Sequence, residues 1–285
     1  MYSIIIPAFN EDKTISDIIK RIHKVFSELK YKYEIIVVCD GCSDKTESIS
    51  KKSNAIVIVN KMNKGYGASI KIGALNAKGN FIITIDADGQ HNPEDIKKLI
   101  PELKDNDMVV ASRKNNNSSL FWVRPGKLLI QLLANSLAKS KIPDLNSGLR
   151  LIKKTEFLSL IPILPNSFSL STTTTIAFLK TGLQIKYVEV NFKKRVGKGS
   201  LSILDGITTL GLVIRIFTLF SPLRIFIPIS IFFATVGSYY TISSYLINDM
   251  ASLKGIITMS FSIIILLFGL VVDQIAALRR GEKIK

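Results

Sequence analysis

Five short apolar runs, residues 2–6, 34–39, 55–60, 81–85 and 108–112, alternate with longer stretches, residues 13–29, 43–52, 66–77 and 93–103, whose apolar positions recur every three to four residues. The runs predict β-strands and the longer stretches predict α-helices. Strands that are almost continuously apolar, separated by helices, predict an α/β domain with a mostly parallel sheet covered on both faces. In such sheets ligands bind beyond the C-terminal ends of the strands. Polar clusters fall at those ends: Pro7-Ala8-Phe9-Asn10-Glu11, Asp40-Gly41, residues 61–67, and residues 86–91. The first seven residues lack a basic n-region and a small-residue cleavage site, so they are expected to be a strand and not a signal peptide.

The pattern changes after Arg124. Leu129, Leu132, Leu133 and Leu137 recur at helical spacing, and Ile203, Ile207, Leu210, Ile214 and Phe217 repeat the motif. Both stripes suit amphipathic helices lying against the domain or on a bilayer surface. Two uncharged stretches follow. Residues 225–247 and 255–278, the second carrying only Asp273 near its end, are each long enough to span a bilayer, with a short connection at 248–254. The expected organisation is a catalytic domain over 1–200, a membrane-interface helix over 201–221 and a transmembrane hairpin over 222–285. Arg215 and Arg224 precede the hairpin and Arg279, Arg280, Lys283 and Lys285 follow it. The positive-inside rule therefore places both ends, and the catalytic domain, in the cytoplasm.

Composition sharpens this picture. The 285 residues are 47% hydrophobic and carry a net charge of +16. That excess of cations fits an anionic membrane surface and phosphorylated substrates. No nucleic-acid recognition motif accompanies it, so no nucleic-acid partner is expected. Cys39 and Cys42 have C-x-x-C spacing, but no second pair completes a zinc site; they are expected to be ordinary thiols.

The sharpest chemical signal is Asp86-Ala87-Asp88-Gly89-Gln90, directly after a strand. Alternation along an extended chain puts Asp86 and Asp88 on one side, and a turn at Gly89 can bring the Gln90 amide oxygen to the same ion. These oxygens suit a hard cation, Mg²⁺ or Mn²⁺, bound with a diphosphate. Taken alone, the segment reads more readily as a polar turn after a strand.

Other segments resolve that ambiguity. Residues 4–11, Val37-Val38-Cys39-Asp40-Gly41-Cys42-Ser43-Asp44, Asn63-Lys64-Gly65-Tyr66-Gly67, residues 86–91, Asn146-Ser147-Gly148-Leu149-Arg150 and Arg195-Val196-Gly197-Lys198-Gly199-Ser200 together resemble glycosyltransferase family 2. Within it the chain is most similar to the polyprenyl-phosphate glycosyltransferases, typified by dolichyl-phosphate mannose synthase. The resemblance implies a GT-A fold that binds a nucleotide sugar, UDP- or GDP-linked, through Pro7, Ala8, Asn10, Glu11, Asp40, Lys64, Gly65, Asp86 and Ala87. It implies Asp86, Asp88 and Gln90 as metal ligands. Lys61 could join Lys64 on the nucleotide side.

An absence points to the acceptor. Transfer to a hydroxyl needs a general base, usually a carboxylate on a helix near the acceptor. This chain has no Asp or Glu from Phe157 to Val188, and the corresponding region reads Phe168-Ser169-Leu170-Ser171-Thr172-Thr173-Thr174-Thr175. A phosphate acceptor needs no base, because a phosphomonoester is already anionic at neutral pH. The resemblance then implies Asp88 and the cations Arg113, Arg124, Arg150, Arg195 and Lys198 as the candidate catalytic groups, Arg113 and Arg124 matching basic positions of the family's acceptor loop and Arg150 its S-G-[LF]-R motif, with the cations clamping the acceptor phosphate. The acceptor implied is a polyprenyl phosphate, dolichyl or undecaprenyl, and the reaction is inverting transfer of one sugar. Asp144 matches a common acidic position of the family, His91 is expected to be structural, and His23 is expected to be an ordinary surface residue. A processive polysaccharide synthase and a catalytically silent scaffold are the rival readings. The first lacks its Q-x-x-R-W motif here, since the single tryptophan is Trp122. Hairpins of this kind can associate, so a homo-oligomer is compatible with the sequence.

Overall fold

The computed structural model describes residues 1–113, 142–193, 215, 218–248, 250 and 252–280. Arg124, Arg195, Lys198, the first leucine stripe and most of the expected interface helix lie outside the described residues. The chain divides into two compact units, Met1–Ile207 and Thr208–Lys285.

In the first unit, β1 (Tyr2–Ala8), β2 (Tyr33–Asp40), β3 (Ile56–Asn60), β4 (Phe81–Thr84), β5 (Met108–Arg113), β6 (Arg150–Lys153) and β7 (Ile185–Val190) form one sheet in the order β3-β2-β1-β4-β6-β5-β7. Four pairings are parallel, and β6 runs antiparallel to both of its neighbours. Because β6 is reversed, its first residue, Arg150, sits opposite Thr84 and Val110, at the edge where the parallel strands end. The segment leading into β6 is thereby delivered to the same edge as the turns after β1, β2, β3 and β4.

The helices are α1 (Ile15–Leu29), α2 (Thr46–Lys52), α3 (Tyr66–Asn76), α4 (Ile96–Glu102), α5 (Lys154–Leu160) and α6 (Leu170–Lys180). Strand alternation shows that both faces are covered. Ile4, Ile6, Val37 and Cys39 pack in one core with Ile15, Ile18, Ile19 and Ile22 of α1. Ile5 points the other way, against Gly73 of α3, where an added Cβ would stand 2.5 Å from the isoleucine. Ile36 and Val38 pack on that second face with Ala77 and Ile72. Each fully buried isoleucine contributes about 1.5–3 kcal/mol of transfer free energy. The helix α1 stops at Lys30, which is left-handed at φ 57° and donates its N–H to Phe26 O. Pro7 is tolerated inside a central strand because β4 ends opposite Ile5, so β1 has a neighbour on one side only at that point.

In the second unit α7 (Leu223–Asn248) and α8 (Leu253–Arg280) form a hairpin. Leu223–Ile247 and Leu253–Arg279 are long and apolar enough to cross a membrane, matching the two expected spans. Their contact surface holds the small and polar residues. Ser230 Oγ bonds Ser262 O at 3.0 Å and Ser262 Oγ bonds Ser230 O at 2.9 Å. Outward positions such as Ile231, Phe232, Ile263 and Leu267 are exposed, as lipid-facing residues of a bilayer hairpin are.

Candidate active site

Asp40 ends β2 and is 4% exposed. Its Oδ1 accepts from Asn60 Nδ2 at 2.7 Å and Lys64 N at 3.0 Å, and its Oδ2 accepts from Gly65 N at 2.8 Å. The aspartate therefore shapes the turn after β3 through its backbone amides, while the Lys64 side chain is exposed. Gly65 is required in that turn: its φ is 98°, and a Cβ would meet Asn166 O at 2.5 Å. Of the turn after β1, Asn10 is left-handed at φ 56° and accepts Ser43 N at 2.8 Å, while Glu11 N donates to Thr46 Oγ1 at 2.8 Å. Pro7, Ala8, Asn10, Glu11, Asp40, Lys64 and Gly65 thus sit on adjoining turns of one sheet edge.

Asp86 follows β4 at the centre of that edge. Its Oδ1 is buried without a hydrogen-bond partner, and His91 Nε2 lies 3.7 Å from its Oδ2. Burial raises the Asp86 carboxyl, but His91, Tyr66 and the Arg150 charge outweigh that effect and hold it below the ordinary carboxylate range. Burial, with the Asp86 charge, keeps the Tyr66 hydroxyl protonated. Gly148 forms the wall beside Asp86: an added Cβ would stand 2.0 Å from Oδ2 and 2.4 Å from Oδ1. Ala87 is fixed by its carbonyl, which accepts Thr14 Oγ1 at 2.5 Å. Asp88 Oδ1 accepts Gln90 N at 3.0 Å, and Gln90 O accepts Lys193 N at 2.9 Å.

These residues fit a divalent cation. A buried carboxylate oxygen left without a donor is costly unless a cation meets it, and Asp86 Oδ1 is such an atom. Among the described residues no three His, Cys, Asp or Glu side chains gather around one point.

The arginines separate. Arg113, at the end of β5, lies over the Phe192 ring at 4.7 Å, with its Nε 3.8 Å from Asp144 Oδ2. Asp144, which matched a family acidic position, is 6% exposed and also accepts Asn146 N at 2.9 Å. Arg150 differs from its expected role as a phosphate clamp. It is 2% exposed and its guanidinium is turned into the domain, donating to Ser147 O at 2.8 Å, Leu145 O at 2.9 Å and Thr175 Oγ1 at 2.9 Å. Burial lowers its pKa, with Tyr187, Tyr66, Asp144 and Asp86 opposing that shift.

Helix α6 carries no acidic residue, and its hydroxyls are tied to neighbouring groups. Thr172 Oγ1 donates to Asn146 Oδ1 at 2.9 Å, and Thr175 receives Arg150. Tyr66, Gly148 and these threonines were given no role from the sequence. Gly148 stood inside a quoted motif, but its use depends on the approach of Asp86, which is distant in the chain and brought there only by the fold. His91, expected to be structural, is 4% exposed and edges onto Phe192 at 4.6 Å. Cys39 and Cys42 are both free thiols.

Comparison with known proteins bears on the family and the fold. Residues 3–158 match glycosyl transferase family 2, and residues 221–278 match the GtrB C-terminal hairpin. The chain belongs to glycosyl transferase family 2. It is 32% identical over 187 residues to an undecaprenyl-phosphate 4-deoxy-4-formamido-L-arabinose transferase of Pseudomonas fluorescens, covering 60% of this chain and 55% of that protein. The chain thus spans about half the length of such relatives. An uncharacterized protein of Methanocaldococcus jannaschii is 34% identical over 66% of this chain and 79% of its own. Among solved structures, glucosyl-3-phosphoglycerate synthase from Mycobacterium tuberculosis, in complex with Mn²⁺, UDP and glucosyl-3-phosphoglycerate, superposes with a TM-score of 0.60 at 20% identity. It covers 76% of this chain and 79% of that one, and the shared fold is GT-A.

Proposed function

We propose that this protein transfers one sugar, with inversion, from a nucleoside-diphosphate sugar, UDP- or GDP-linked, to a polyprenyl phosphate at the cytoplasmic face of the membrane. The observation that carries the reading is the face of α6. Where transfer to a hydroxyl needs a carboxylate base, this helix presents Thr172 and Thr175, already committed to Asn146 and Arg150. An acceptor that arrives as an anion removes that need. The names of the undecaprenyl-phosphate transferases and the match to the GtrB hairpin support a lipid-linked phosphate.

Asp40 fixes the turn at Lys64 and Gly65 so that its backbone lines the nucleoside pocket with Pro7, Ala8, Asn10 and Glu11. Asp86, Asp88 and Gln90 would hold Mg²⁺ or Mn²⁺. The cation, when bound, neutralises charge on the departing nucleoside diphosphate. Arg113, oriented by Phe192 and Asp144, is the described cation best placed to receive the acceptor phosphate, with Arg124, Arg195 and Lys198 as sequence candidates. A phosphate oxygen attacks the anomeric carbon; the bond to the diphosphate breaks, its electron pair leaves with the nucleotide, and no proton moves.

The test is incubation of the detergent-purified protein with Mn²⁺ or Mg²⁺, a panel of UDP- and GDP-sugars and undecaprenyl or dolichyl phosphate, with products read by mass. A glycolipid carrying one sugar is expected. Donor turnover that yields only free sugar, or a polymer, overturns the assignment.

A further inference from the structure

We propose that Arg150 is a positioning residue for the metal-binding end of the site, setting the backbone wall against which the Asp86 carboxylate lies. The inference rests on the proposed role of Asp86 as a metal ligand.

The side chain begins at the first residue of β6 and folds back over the turn that precedes it. One nitrogen holds the carbonyl three residues upstream, Ser147 O at 2.8 Å, and another holds the carbonyl five residues upstream, Leu145 O at 2.9 Å. A third contact, to Thr175 Oγ1 at 2.9 Å, ties the same turn to α6. Each of Nε, Nη1 and Nη2 makes one of these bonds, Nη1 also lies 3.9 Å from Met108 Sδ, and with the residue 2% exposed it is burial that closes the rest of the fork to a ligand phosphate. The turn it secures carries Gly148, whose carbonyl is also held by Thr84 Oγ1 at 2.7 Å. That glycine touches the Asp86 carboxylate closely enough that even a methyl group would overlap all three of its terminal atoms. Asn146, two residues further back, is pinned by Thr172 at 2.9 Å. The turn, and through it Asp86, is therefore positioned from β4, β6 and α6 together. A lysine at 150 has one charged centre in place of a planar fork, and it cannot reach two carbonyls and a hydroxyl at once.

The experiment uses the full-length protein in detergent with UDP and Mn²⁺. Bound Mn²⁺ is read from loss of the free-ion electron paramagnetic resonance signal, alongside thermal melting and KM for the lipid phosphate. Arg150→Lys should weaken Mn²⁺ binding ~10-fold, the usual scale for groups that orient metal ligands, while KM for the lipid phosphate is unchanged. Thr175→Val should act in the same direction with a smaller effect. Gly148→Ala, which pushes on Asp86 directly, should reproduce the defect, and the Arg150→Lys/Gly148→Ala pair should be less than additive because both act through one contact. Should Arg150→Lys fail to fold, Thr175→Val and Gly148→Ala decide the matter by the same readings. Mn²⁺ affinity unaltered in the folded variants, or a raised lipid KM with Mn²⁺ binding intact, overturns the positioning role. If the wild-type protein itself binds no Mn²⁺ with UDP, the metal role of Asp86 falls first and this inference falls with it.

Discussion

Asp40 shows how a residue legible in sequence acquires a different immediate task in the fold. Its place after an apolar run marked it as a site residue, yet its oxygens are occupied by Asn60 Nδ2 and by the amides of Lys64 and Gly65. Asp40→Asn turns one acceptor into a donor facing those N–H groups, at a cost of ~1–3 kcal/mol. The expected result is a lowered melting temperature together with weakened UDP binding by calorimetry; weakened binding with no loss of stability would mean that Asp40 acts on the nucleoside alone. Asp88→Ala tests the metal end separately, and should abolish turnover while the melting temperature stays close to wild type. Full turnover in that variant with Mn²⁺ present would remove Asp88 from the site. Both aspartates were readable because a carboxylate beyond a buried strand is chemically conspicuous. Gly148, Tyr66 and the inward turn of Arg150 were not, because each is defined by a partner distant in sequence and only the tertiary fold creates the contact.

At the scale of elements, the strands that were readable are the five built on nearly continuous apolar runs, and β6 escaped for a physical reason. The strand β6 has four residues and opens on a buried arginine, so its sequence does not resemble a strand. The helix α6 is built on Ser171, Thr172, Thr173, Thr174 and Thr175, and β-branched hydroxyl residues are weak helix formers. It holds as a helix because it is buried and its hydroxyls bond backward, Thr174 Oγ1 to Leu170 O at 2.8 Å and Thr175 Oγ1 to Ser171 O at 3.1 Å. The unread strands are coupled by Asp107, which precedes β5: its Oδ1 takes Lys153 Nζ at 2.8 Å and its Oδ2 takes Gln184 N at 2.9 Å. Burial raises this carboxyl, but the Lys153 and Gln184 donors outweigh that and hold it below its ordinary range. A depressed carboxyl stabilises fully above its unfolded value of about 3.9 and loses that contribution as pH falls through the folded value. The melting difference between wild type and Asp107→Ala should therefore be constant near pH 7 and shrink below about pH 4. A difference that persists undiminished in acid would show that Asp107 works by packing and not by charge.

For the molecule as a whole, the charge pattern about the hairpin sets how a cytoplasmic reading of the catalytic unit can be tested. Arg215 and Arg224 stand at the start of the hairpin and Arg279, Arg280, Lys283 and Lys285 at its end, while residues 248–254 offer only Lys254 against Asp249. A two-helix hairpin returns the chain to the side from which it left, so one orientation fixes both ends. Under the proposed function, the same constraint would confine the lipid-linked acceptor and the first unit to one surface, where effective concentration exceeds that of free diffusion. Met250, in the connection, is 72% exposed and gives a reporter position. Of the native thiols, Cys39 is fully buried and Cys42 is half-buried, so a Cys42→Ser background leaves little competing reactivity. In intact cells, a Met250→Cys variant should react with a membrane-impermeant maleimide. A cysteine replacing exposed Lys78 in the first unit should react only after the membrane is opened. Labelling of the Lys78 position in intact cells, with Met250 protected, would reverse the orientation and put the proposed nucleotide-sugar site on the wrong side for a cytoplasmic donor.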